Sequence, residues 1–315
     1  MRWPLTRYLP SNTKIDFVRL APFAAALSAL LMLGSVVSFT TQGLNLGIDF
    51  SGGIQMEVVT PGRTAPLGQL RSALDHMGVA DPHVQGFGGA NDAVLRFKPH
   101  TGQDSNDAVA AIKTSLASQF PGIQFKQTAA ISAKVSGELF RSGFLALGLA
   151  ILLMLAYIWF RFQLQFGLGA VIALAHDIFL TIGILSVLHI EFALTSIAAL
   201  LTVIGYSMNE KVITFDRLRE NLRKYKTTPL REVINLSENE RLSRTLITGV
   251  SALLALSGTL IMGGPALFPL VFTMAFGILV GTYSSVYVAL PVILLWGVRR
   301  GDEDVEIIRP QGARP

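Results

Sequence analysis

The chain has 315 residues and no cysteine, which excludes disulfides, thiol nucleophiles and cysteine metal ligands, so any part outside a membrane folds without covalent staples. Charge is also scarce: Lys, Arg, Asp and Glu make up 15% of the residues, against 51% hydrophobic. A soluble domain of this length carries more charge than that, which leaves an integral membrane protein. The five histidines are scattered without ligand spacing and give no metal signal. No G-x-x-x-x-G-K-[ST] stretch occurs, so the chain carries no ATP motif of that form. The net charge of +5 comes from basic residues set beside apolar runs, a mark of membrane orientation and not of a nucleic-acid surface.

What is present is six apolar runs around one polar block. Residues 1–19 are polar, carry Arg2, Arg7, Lys14 and Arg19, and read as a cytoplasmic amino terminus. The first run, 20–39, competes with a signal peptide cleaved near Val36-Val37-Ser38, but it exceeds the roughly 7–15 apolar residues of a signal core and reads as an uncleaved span. Further spans are expected at Phe140–Trp159, Phe166–Leu188, Phe192–Phe215, Thr245–Met262 and Leu270–Trp296. Arg161, the basic segment 216–244, and Arg299 with Arg300 fall on one side of these runs. The links at His189-Ile190-Glu191 and Gly263-Gly264-Pro265 carry no Lys or Arg. The positive-inside rule then puts both termini in the cytoplasm, with 297–315 as a tail, and the polar block outside.

That block, 44–134, predicts strand (Gly53–Thr60), helix (Leu67–Met77), strand (His83–Phe87), strand (Ala93–Lys98), helix (Asp104–Gln119) and strand (Ile123–Gln127). The order β-α-β-β-α-β is that of a ferredoxin-like α+β domain. The fold class is therefore mainly α, six transmembrane helices plus one extracytoplasmic ferredoxin-like domain. No catalytic constellation occurs in the block: Asp75, His76 and His83 lack a nucleophile or metal spacing.

Three charged places fall in or beside the apolar runs. Asn209, Glu210 and Lys211 come before the fourth span ends; an ionisable side chain at bilayer depth costs about 3 kcal/mol or more and marks a functional site by default. At helical spacing Tyr206, Asn209, Glu210, Ile213 and Arg217 share a face. The alternative is a span end, with Lys211 snorkelling to water. His176-Asp177, in the middle of the third run, reads either as a buried structural pair or as a proton relay. Arg244, opening the fifth run, is either an interfacial cation or a partner for Glu210. Gly277-x-x-x-Gly281 with Ser284-Ser285 gives the sixth helix a small face for close packing.

Three stretches together resemble the SecF family of the bacterial Sec protein-export machinery, within the RND superfamily. They are GLNLGIDFSGG (Gly43–Gly53, with Gly47, Asp49, Phe50, Gly52 and Gly53), GYSMNEKVITFDRLREN (Gly205–Asn221, with Gly205, Tyr206, Ser207, Asp216 and Arg217), and RTLITG from Arg244, supported by GTYSS from Gly281. The resemblance implies a subunit that works with SecD and uses the proton motive force to drive late steps of preprotein translocation across the inner membrane. The partners it implies are SecD, YajC, the SecYEG translocon, the translocating preprotein and the lipid bilayer; it implies no cofactor and no covalent chemistry. It also implies proton coupling at Glu210 and Arg244, with Asn209 beside them. Where the family carries Asp after Asn209, this chain has Glu210 followed by Lys211, a reach one methylene longer. A small cation held by Glu210, Asn209 and Ser207 oxygens is the alternative to a proton. The alternative functions are a non-conducting scaffold for the same assembly and a half-size RND exporter.

Overall fold

The structure, a computed structural model, describes residues 13–99 and 105–298. Arg2, Arg7, Asp104, Arg299, Arg300 and the rest of the tail lie outside the described residues. Helix α1 (Phe17–Thr41) opens at Asp16, whose carboxylate accepts the Arg19 amide and so satisfies one of the free donors of the first turn. The chain then passes through β1 (Asn45–Leu46) and the short α2 (Ile48–Ser51) into the domain: β2 (Gly53–Val59), α3 (Leu67–His76), β3 (Ala80–Gly86), β4 (Asp92–Lys98), α4 (Ser105–Gln119) and β5 (Gln124–Ile131).

The sheet order is β3-β4-β2-β5 with every neighbouring pair antiparallel, the arrangement of a split β-α-β unit. Alternation along β2 explains the layering: Ile54, Met56 and Val58 are buried against Leu70 and Leu74 of α3 and Ile112 and Leu116 of α4, while Gln55 and Glu57 face the other way. Two strands run further than the sequence predicts. β3 begins at Ala80, where Ala80 pairs with Lys98 before an irregularity at Asp81 (φ 52°), and regular pairing resumes at His83. β5 continues to Ile131 because it follows β2 back to Gly53.

Beyond the domain lie α5 (Ala133–Arg161), α6 (Leu164–Val187), β6 (Glu191–Phe192), α7 (Leu194–Lys224), α8 (Leu230–Met262), α9 (Gly264–Ser284), a π-helical turn (Ser285–Ala289) and α10 (Leu290–Trp296). Among the described residues five stretches are long and apolar enough to cross a membrane: Phe17–Thr41, Ala133–Arg161, Leu164–Val187, Leu230–Met262 and Ala266–Trp296. The 31-residue α7 does not meet that standard of composition, since Asn209, Glu210 and Lys211 interrupt it. It is nonetheless the central helix, packed against α5, α6, α8 and α9.

The segment 216–244, expected as a basic loop, is mostly helix. α7 runs on to Lys224 and α8 already starts at Leu230, one residue after Pro229. The charges there alternate with apolar residues at helical spacing: Leu218 and Leu222 of α7 and Leu230, Val233 and Ile234 of α8 enter the same buried cluster as Phe162, Phe166 and Phe215. Ion pairs occupy the outer side, Arg217 with both Glu220 and Glu240.

Candidate functional site

Two connected groups of charged side chains lie inside the bundle, both anchored on α7. In the first, Lys211 and Asp177 have no exposed surface, and Lys211 Nζ donates to Asp177 Oδ2 at 2.7 Å. The same carboxylate oxygen accepts the hydroxyls of Ser207 (2.5 Å) and Ser284 (2.7 Å), so its negative charge is met by donors from α7 and α9. On the other oxygen, His176 Nδ1 lies 3.0 Å from Asp177 Oδ1, while His176 Nε2 lies 3.1 Å from Ser28 Oγ of α1. Ser28 continues to the Tyr283 hydroxyl at 3.0 Å, and Tyr283 donates to the Ala24 carbonyl.

In the second group, one face of α8 carries Glu238, Arg241 and Thr245, spaced three and four residues apart. Arg241 Nε donates to both Glu238 oxygens at 2.8 and 2.9 Å, and Nη2 reaches Glu238 Oε2 at 2.7 Å. The guanidinium also donates to Thr245 Oγ1 (2.7 Å) and to Ser285 Oγ (3.0 Å) at the start of the π-helical turn. Its contact with Glu210 is longer, 3.4 Å from Nη1 to Oε2, and Thr245 Oγ1 adds a 3.2 Å bond to the same oxygen. Glu210 Oε1 is buried and has no hydrogen-bond partner among the described residues.

A third cluster joins the domain to the bundle. Gly47 packs where a Cβ would stand 2.6 Å from Glu191 Oε1, and the Gly47 amide donates to the Phe192 carbonyl. Asp49 Oδ2 accepts the Leu194 amide at 2.9 Å and so caps α7 from outside its own sequence. Phe50 packs edge-on against Phe140 and at a tilt against Phe192. Gly53 has φ 109° and sits where a Cβ would meet the Phe97 carbonyl, so only glycine fits. Arg96 of β4 pairs with Glu191 and donates to Gln55 and, more weakly, to Asn45. The β1–β6 pairing (Asn45↔Glu191, Leu46↔Phe192) completes this joint. Burial pushes the Glu191 carboxyl above its ordinary range; Arg96 opposes this and the nearby Asp49 charge adds to it.

Several expectations need correction. Glu210 faces Arg241, not Arg244: because α8 is already helical at Leu230, Arg241 turns inward with Glu238 and Thr245, and Arg244 falls on an exposed face. Asn209 is exposed and does not share a face with Glu210; the inward face of α7 is Ser207, Glu210, Lys211 and Thr214. Lys211 does not snorkel, because its ammonium is fully buried on Asp177. Asp216 and Arg217 lie in peripheral pairs, Asp216 with Arg161, and Gly205 is exposed. Tyr206 reaches Thr282 at 3.4 Å. Glu238 and Arg241 were missed by sequence reasoning, although their i, i+3 spacing before Thr245 was a legible signal once that stretch is taken as helix.

An apolar bundle with ion pairs sealed inside it, under an α+β domain tied to the helix ends, defines a membrane-embedded transport component. Residues 111–299 match a family profile described as protein export membrane protein SecD/SecF, C-terminal, and residues 37–60 match the SecD/SecF GG motif. The protein translocase subunit SecF of Cereibacter sphaeroides is 44% identical over 93% of this chain and 92% of its own length. The corresponding subunit of Rhodobacter capsulatus is 41% identical (94% and 93%), and that of Rickettsia felis 36% (96% and 98%). The crystal structure of SecDF from Thermus thermophilus, a translocon-associated membrane protein, superposes with a TM-score of 0.83 at 28% identity, over 94% of this chain and 40% of that one. A super-membrane-facing form of SecDF gives 0.63. The chain belongs to the SecF family of protein translocase subunits, and it spans about two fifths of the length of the SecDF chain.

Proposed function

We propose that this subunit, together with a SecD-type partner supplying the remaining helices, converts the proton motive force into movement that assists late steps of preprotein translocation across the bacterial inner membrane. The observation that carries this reading is Glu210, a carboxylate without exposed surface, on the central helix, facing a guanidinium held by a neighbouring helix. In this reading α7 is a sixth span, polar because it carries the coupling groups. Both termini lie in the cytoplasm and the ferredoxin-like domain lies outside, an orientation supported by the Lys/Arg distribution. The coupling residues are Glu210 and Arg241, with Asp177, Lys211 and His176 as a second, linked group; Arg244 and Asn209 lie at the periphery.

When a proton neutralises Glu210, its attraction for Arg241 falls, and the guanidinium settles on the groups it already holds, Glu238, Thr245 and Ser285. Ser285 begins the π-helical turn and Ser284 just before it binds Asp177, so a change at Arg241 reaches α9 and α6 directly. One charge crossing 100 mV supplies roughly 2.3 kcal/mol, enough in small multiples to bias such a packing change. The subunit forms no covalent bond and is not an enzyme, and it requires no cofactor. YajC, the SecYEG translocon and the emerging polypeptide are its remaining partners, with the outer domain facing the polypeptide.

The test is Glu210→Gln in export by inverted membrane vesicles under an imposed proton motive force. Loss of the force-dependent export, with the complex still co-purifying, is expected. Undiminished export would mean a scaffold that holds the machinery together. Separately imposed ΔpH and Na⁺ gradients distinguish the proton from a sodium ion.

A further inference from the structure

The second buried group has an imbalance that the coupling mechanism does not by itself explain. Two carboxylates, Glu210 and Glu238, converge on one guanidinium, and both are at least 98% buried. Arg241 is not shared evenly. Its Nε and Nη2 close on Glu238 at 2.7–2.9 Å, its remaining reach is spent on Thr245 and Ser285, and Glu210 is left with a 3.4 Å contact and one hydroxyl. The second Glu210 oxygen meets no donor among the described residues.

The other charged and titratable groups around this site are already committed. On α7, Lys211 is held by Asp177, Ser207 and Ser284 and makes no hydrogen bond to Glu210, while Tyr206 is bonded to Thr282. On α6, Asp177 is engaged by Lys211, and His176 stands beyond it, between Asp177 and Ser28. From α9 and the π-helical turn come hydroxyls, Thr282, Ser284 and Ser285, together with Tyr283 and Tyr287. Lys211 also attracts the Glu210 charge, so the buried set is three carboxylates, Asp177, Glu210 and Glu238, with two cations, Lys211 and Arg241, and the three cannot all ionise without leaving a buried charge unmatched. A proton taken up under those conditions belongs to the set and not to one residue.

We propose that Glu210 and Glu238 form a two-carboxylate site that holds one exchangeable proton, with Arg241 committed to Glu238 while the proton sits on Glu210. Glu238 is then a positioning residue: it competes for the guanidinium and so sets whether Glu210 carries the proton. The proposal rests on Glu210 being the coupling group, and it adds the residue that loads it and a count of one proton per site.

Infrared difference spectra of the full chain in phospholipid vesicles, recorded between acid and alkaline pH, read the buried protonated carboxyl as a C=O stretching band. Wild type is expected to show that band, and Glu210→Gln to lose it. Glu238→Gln is expected to lose it as well, because Arg241 is then free to match Glu210 and no surplus charge remains. Glu238→Asp keeps the competitor and should restore the band. Arg241→Gln leaves two unmatched carboxylates and should raise its intensity about two-fold. A band unchanged in Glu238→Gln, or unchanged in Arg241→Gln, overturns the proposal. The outcomes separate from those of the coupling reading: normal export by Glu210→Gln with the spectra as expected removes the motor and leaves the proton site, whereas lost export with a Glu238-independent band does the reverse.

Discussion

Lys211 shows how much a single side chain can hold in place. Its ammonium is sealed against Asp177, Ser207 and Ser284, and removing it leaves a carboxylate in the bundle interior without a cation. Lys211→Met should therefore destabilise the protein by about 3–5 kcal/mol, read as a fall in thermal midpoint in detergent. The double variant with Asp177→Asn removes both charges and should recover most of that loss. The Arg161–Asp216 pair makes the contrast: its side chains are 41% and 46% exposed, and breaking it should cost less than about 1 kcal/mol. At this scale the sequence marked Glu210, His176 and Asp177 as charges in apolar surroundings. It did not distinguish a lysine that reaches water from one that turns inward, because the two differ only in which neighbouring helix lies at that height.

Among the elements, α7 and α9 pack closely along their length, and small residues permit it. A Cβ on Gly277 would run into the Val203 side chain, and one on Gly281 would stand 3.0 Å from Ser207 Cβ, next to the Asp177–Lys211 pair. Gly277→Val should push α9 from α7, cost about 1–3 kcal/mol by overpacking, and loosen the Ser284–Asp177 bond. Gly258→Ala on α8, where nothing lies within 4 Å, is the control and should cost no stability, adding up to about 1 kcal/mol through helix propensity, with the thermal midpoint unchanged or raised. The small-residue face of α9 was legible as a packing surface. The helical start of α8 was not, because its first turns are dense in charge; only contact with Phe162, Phe166 and Phe215 across the bundle makes them one continuous element with the apolar part.

In the whole molecule, the domain and the bundle meet at the Gly47–Gly53 stretch, at β1–β6 and at the Arg96–Glu191 pair. Burial raises the Glu191 carboxyl, so the folded joint favours its protonated form more than the unfolded chain does. The stability this gives is fully present below the ordinary glutamate range, near pH 4.3, and is lost as pH rises through the raised value. The thermal midpoint of wild type relative to Glu191→Gln should accordingly be highest in acid and decline toward neutral pH; a flat difference across that range contradicts this account. The polar block, its β-α-β-β-α-β order and the apolar runs were determined by the sequence alone, because alternation of period two, helical periodicity and run length are local properties of the chain. The family was legible too, since its motifs are contiguous. Only the tertiary structure decided that Arg241 and not Arg244 meets Glu210, that Asn209 faces outward, and that Asp49 caps a helix beginning at Leu194. Those outcomes depend on the rotation and height of helices far apart in the chain, and one residue's difference on a helix turns a side chain by about 100°.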